Sequence, residues 1–169
     1  DLTTIHGTHN NPRRNAGDPS SAGALGANAP ALLDMVDAVL GGEPADQVYA
    51  QTNDVLSTAA GVESAAVLTV RYSSGTVVSL DCSQAPPGDR FVDGPTMTFI
   101  GDRASVEFNT APQLLGGYDA ESVSQRWETG GTDLCSAMLD GFLGASSVEQ
   151  CPDGAAALRA MRIVRAAYE

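Results

Sequence analysis

Around Pro12 the chain crowds His9, Asn10, Asn11, Arg13 and Arg14 into a single short stretch. An imidazole, paired amide donors and acceptors and a planar guanidinium fork are the groups that recognise hydroxyls and carboxylates, so the stretch reads as a binding loop, against the blander reading of a solvated turn. His6, three residues earlier, reads as an ordinary strand residue. A metal centre needs further ligands converging on the two histidines, and the sequence marks none.

Other chemistries lack their residues. All nine basic residues are arginine, so a P-loop and Schiff-base catalysis, both of which need lysine, are excluded. No Gly-x-Ser-x-Gly elbow surrounds Ser20, Ser21 or any other serine, which removes the usual serine-hydrolase signature. The stretch from Gly23 to Asn28 carries glycines at 23 and 26 but lacks the third glycine and the preceding apolar strand of a dinucleotide cradle. Cys82, Cys135 and Cys151 have no ligand-like spacing and read as small buried apolar residues. Trp127, the only tryptophan, reads as a packed structural residue, with stacking on a sugar or filling an interface as the alternatives.

With 169 residues, 43% of them hydrophobic, the chain is sized for one domain with a sizeable core. Its formal net charge of −12, with only Arg13 and Arg14 adjacent among the cations, argues against nucleic acid and against anionic membrane surfaces as partners. No apolar run is long enough to span a bilayer, and a polar start at Asp1 is unlike a signal peptide, so the expected location is cytoplasmic. Asp1 in place of Met, and a last helix that runs to Glu169 without a cap, point to an excerpt or a processed chain.

These groups must be positioned by elements of two periods. Leu2 to Thr8 predicts a strand running into the His9 loop. Asn28 as N-cap, Pro30 in the first turn and Gly41-Gly42 as the stop predict a helix to Leu40, with Leu32, Leu33, Val36, Val39 and Leu40 on its packed stripe and Asp34 and Asp37 on a solvated face. Val48 to Thr52, Ala65 to Tyr72, Thr76 to Cys82, Thr96 to Ile100 and Ala104 to Phe108 read as strands, with hairpin turns at Ser73-Ser74-Gly75 and Gly101-Asp102. The period then becomes helical: one helix carries Leu134, Met138, Leu139, Phe142 and Leu143, with Thr132 as N-cap and Gly144 as stop. The last starts near Pro152-Asp153 and carries Ala156, Leu158, Met161, Ile163, Val164 and Ala167. This order predicts an α+β fold, a mostly antiparallel open sheet with helices on one face, and excludes a doubly wound fold. The uncovered face, bearing Val67, Thr69 and Val77, must then meet water or a partner.

Taken in order, the Asn-Pro-Arg loop, the Gly-rich lead from Ser21 to Leu25 into the helix, the hairpin around Tyr72-Ser73-Ser74-Gly75-Thr76-Val77, the segment from Met97 to Phe108 and the close from Asp153 to Glu169 resemble the C-terminal domain of the Gfo/Idh/MocA oxidoreductases. The resemblance implies a single substrate-binding and oligomerisation domain over residues 1–169. It also implies a nucleotide-binding Rossmann domain, absent from this chain, that holds NAD or NADP and supplies a lysine, and a sugar or polyol as the small-molecule substrate. Association into a homo-oligomer would use the open sheet face. His9, Asn11, Arg13, Arg14 and Asn28 are the expected substrate-binding residues.

In register with Ala24-Leu25, the family's aspartate and histidine on that helix fall on Gly26 and Pro30. Neither side chain can carry a proton, so no catalytic residue is assigned. Either another group, His9 being nearest, moves the proton, or the parent protein has lost the reaction and serves as a scaffold or binding protein. Whether the parent is an enzyme thus stays open at the level of sequence. A free-standing lyase or isomerase ranks last, having no acid/base pair.

Overall fold

A computed structural model describes residues 1–11, 23–57, 61–84, 94–110, 113–131, 133–143 and 154–169. The elements are β1 (Leu2–Thr8), α1 (Ala24–Leu40), β2 (Ala45–Asn53), β3 (Ala65–Tyr72), β4 (Val77–Asp81), β5 (Thr96–Gly101), β6 (Ala104–Thr110), β7 (Gln113–Asp119), β8 (Ser124–Thr129), α2 (Leu134–Phe142) and α3 (Gly154–Ala167). The eight strands form one sheet in the order β2-β3-β4-β1-β5-β6-β7-β8. Only β1 and β4 run parallel; every other neighbouring pair is antiparallel.

Period-two alternation fixes the faces. Ala66, Leu68, Val70 and Tyr72 of β3, Val78 and Leu80 of β4, Ile5 of β1 and Met97 of β5 are buried on one side, where α1 and α3 cover them. From α1 come Leu25, Ala29, Leu32, Leu33 and Val36, and from α3 Ala160, Ile163 and Val164. Gly7 allows the close approach of helix to sheet, because a β-carbon there would stand 2.6 Å from Met97 Sδ and 3.2 Å from Leu32 Cδ2.

On the opposite face the register aligns complete rows across all eight strands. One runs Tyr49, Thr69, Ser79, His6, Thr98, Glu107, Gly116, Trp127. Val67 and Val77 are exposed there, as the alternation predicts. His6 is exposed on the same face, consistent with an ordinary strand residue.

Several expectations need correction. Helix α1 starts at Ala24 with Gly23 at the N-cap position, so Asn28 is a buried interior residue and Pro30 lies well inside the helix. The reason is tertiary: Ala24 N–H donates to Glu63 O (3.0 Å), Leu25 N–H to Glu63 Oε1 (3.2 Å) and Gly26 N–H to Tyr168 Oη (3.2 Å), so distant residues satisfy amides that a local cap would otherwise serve. Asp37 does not face solvent but takes the fork of Arg159 (2.7 and 2.8 Å), whereas Val39 is exposed. Leu158 and Met161 of α3 are exposed as well, its buried stripe being Ala156, Ala160, Ile163 and Val164.

Strand β2 is longer than the apolar run that marks it, and β7 and β8 were not expected at all. Asp133 rather than Thr132 caps α2, its carboxylate accepting from Cys135 N–H, and Met138, Leu139, Phe142 and Leu143 are exposed. Cys82 is buried as expected but Cys135 is exposed. Arg13, Arg14, Ser20, Ser21, Thr132, Gly144, Cys151, Pro152 and Asp153 lie outside the described residues. Among the described residues no helix is long and apolar enough to cross a membrane.

Candidate functional site

The parallel pairing of β1 with β4 brings two strand C-termini side by side, and the start of α1 packs across them. His9 N–H extends the ladder one step past β1 by donating to Asp81 O (2.9 Å). The imidazole is thereby held under the helix, with Nδ1 3.2 Å from Asn28 O. A carbonyl only accepts, so Nδ1 carries the proton, and in the neutral ring Nε2 keeps the free acceptor lone pair.

Asn28 is the hub. Its Nδ2 donates to Cys82 O (3.0 Å) and lies 3.4 Å from Ser83 O, while its Oδ1 accepts from Asn11 Nδ2 (3.1 Å). One fully buried amide thus fixes the strand end, the loop after β4 and the loop after β1. His9, Asn11 and Asn28, three of the five expected binding residues, converge; Arg13 and Arg14 lie outside the described residues. Asn10 adds a feature the sequence did not single out: its Oδ1 is buried without a hydrogen-bond partner. Such an orphan acceptor is costly unless a donor reaches it.

Beside this hub, Tyr168 Oη donates to Glu63 Oε1 (2.5 Å) and accepts from Gly26 N–H. Burial and then the Glu63 carboxylate push the Tyr168 phenol above its ordinary range, so it stays protonated. Cys82 is pushed up to about 12, by burial first and Asp81 second, and is therefore an inert thiol.

The Gly23–Asn28 stretch is no phosphate cradle, because the Ala24, Leu25 and Gly26 amides that would face an anion are already taken by Glu63 and Tyr168. The residues present here do not fit the phosphates of a dinucleotide. Gly26 and Pro30 offer no proton-carrying side chain. One residue further along, Ala27 and Ala31 offer none either, so a shift of register does not restore an acid/base pair. Among the described residues no group of three or more His, Cys, Asp or Glu side chains converges on a metal position.

Trp127 lies elsewhere, on β8 at the far end of the open face, and is exposed rather than packed into the core. Its ring covers Gly116, where a β-carbon would stand 2.4 Å from Cζ3.

A single sheet with one parallel pair, α1 and α3 on one face and a polar hub at the paired strand ends defines an open-sheet α+β domain. The chain belongs to the GFO/IDH/MocA C-terminal domain family, whose family model matches residues 1–107. The fold likeness extends further. UDP-N-acetylglucosamine 3-dehydrogenase from Acidithiobacillus ferrooxidans superposes with a TM-score of 0.75 at 16% identity, over 98% of this chain and 53% of that one. Levoglucosan dehydrogenase, solved in complex with NADH, gives 0.70 at 18% identity over 99% and 56%. The WlbA dehydrogenase from Bordetella pertussis, solved with NADH and UDP-GlcNAcA, gives 0.63 at 17% over 99% and 51%. The chain thus spans about half the length of the solved structures it matches. No curated protein matches it in sequence.

Proposed function

We propose that this domain binds the sugar or polyol substrate of an NAD(P)-dependent oxidoreductase and joins copies of that protein through the open sheet face. The observation that carries the reading is the convergence of His9, Asn11 and Asn28 at the paired ends of β1 and β4, beside the orphan acceptor of Asn10. Hydroxyl groups both donate and accept, so a polyol matches the imidazole of His9, the unpartnered amide oxygen of Asn10 and the arginines that follow in the sequence. Two of the dehydrogenases named above, levoglucosan dehydrogenase and the WlbA dehydrogenase, were solved with NADH, and the cofactor of a full-length parent is proposed on that likeness. It would be held by a separate nucleotide-binding domain, and no step is assigned to it here. A cytoplasmic location accompanies this reading.

Substituting Arg13 or Arg14 by alanine is expected to weaken polyol binding roughly tenfold, by about 1.4 kcal/mol, without changing the unfolding midpoint. Calorimetric titration alongside urea denaturation checks both halves, and unchanged affinity in both variants removes the arginines from the site.

A second reading, a non-catalytic scaffold or binding protein, has its own support. In the register with Ala24-Leu25 that the resemblance suggests, Gly26 and Pro30 fall on the family's proton-transfer positions, and the Gly26 amide is engaged by Tyr168. A full-length parent that turns over no nicotinamide cofactor with any member of an aldose and polyol panel would favour the scaffold.

A further inference from the structure

We propose that the cleft between α1, α3 and the start of β2 is a second small-molecule site, shaped for an apolar zwitterion of the amino-acid class. It has a volume of about 320 Å³, within the usual range for ligand pockets. Asp37 on its wall lies nine residues along α1 from Asn28, about 13 Å by helical rise, so the cleft is separate from the polar hub.

The walls are apolar: Leu33 of α1, Val48 of β2, and Ala160, Ile163 and Ala166 of α3. Tyr72 lines the same space and is only 3% exposed, so its hydroxyl adds a neutral polar group to a largely apolar lining. Burial, then Asp37 and Glu43, push this phenol up to about 12, so it remains a neutral group able to donate and accept.

Four charges face the cleft from three segments. Asp37 and Arg159 neutralise each other in a bidentate pair that braces α1 against α3. That leaves Glu43 and Arg162 as one anion and one cation at the rim. Glu43 is held in place by the Ser74 amide and by Ser73 Oγ (2.8 Å), which, the amide first, keep its carboxyl below the ordinary range. A ligand that presents an ammonium to Glu43 and the Tyr72 oxygen, a carboxylate to Arg162 and an apolar body to the walls satisfies every group. A purely anionic or cationic ligand leaves one rim charge opposed.

Calorimetric titration of the chain with L-phenylalanine, phenethylamine, hydrocinnamate and glycine tests this. Saturable binding of phenylalanine in the millimolar range or tighter is expected, with each of the other three at least fivefold weaker. Tyr72→Phe should weaken phenylalanine binding about fivefold to tenfold, and Ala166→Phe, at an exposed helix position, should abolish it by filling the cleft. Circular dichroism verifies that both variants fold. Absence of phenylalanine binding overturns the proposal, as does phenethylamine or hydrocinnamate binding equally well, or affinity left unchanged by both substitutions.

Discussion

Asn28 does three jobs with one side chain, and its neighbours have no substitute for it. Replacing it by alanine strips Asn11 Nδ2 of its acceptor and the Cys82 carbonyl of its donor in a buried setting. The expected cost is about 2–3 kcal/mol of unfolding free energy, measured by urea denaturation. The sequence did mark this residue, but for another task. Asn followed by Ala-Pro is a strong local helix-start signal, and the signals that override it, Glu63 and Tyr168, come from 35 and 140 residues away. His9 and Asn11 were marked as an imidazole and an amide clustered after a strand, and both meet Asn28 in the structure. The orphan acceptor of Asn10 was not legible, since satisfaction of a polar atom is a property of its surroundings.

Among the elements, β1, β3, β4 and β5 were readable because one face of each packs on the core and the alternation survives, whereas β6 was readable from its sequence alternation alone, since none of its residues is buried. In β8, whose residues are all exposed, no alternation exists to be read, and β7 interrupts its own pattern with Gly116-Gly117. Pairing with neighbours, not amphipathicity, makes these two strands. Gly116 also sets the position of Trp127, so Gly116→Val should displace the indole from the strand. A red shift and changed quenching of the single tryptophan's fluorescence would report it; an unchanged spectrum would mean that the ring does not rest there.

As a whole molecule the domain is a covered half and an uncovered sheet. Eight strands about 4.8 Å apart give a face about 34 Å wide. With strands of roughly 20 Å that is on the order of 700 Å², close to one partner's share of a standard interface. Tyr49, Val67, Val77, Ile100, Tyr118 and Trp127 are exposed on it, interleaved with serines and threonines. If copies meet there, Val77→Glu should lower the association constant at least tenfold in sedimentation equilibrium while leaving the melting temperature of the dissociated chain within a few degrees. The overall α+β architecture was readable from the order of strands and helices, whereas the parallel β1–β4 contact that creates the polar hub required the topology.

The central claim is that the hub at the ends of β1 and β4 binds polyhydroxylated ligands. Nitrogen-15 NMR of the chain during titration with an aldose and polyol panel tests it directly, with the side-chain amides of Asn10, Asn11 and Asn28 and the backbone amides of His9 and Ser83 as reporters. Saturable shifts concentrated on those signals are the predicted result; a panel that leaves them still, or moves only the signals around Trp127, contradicts the account.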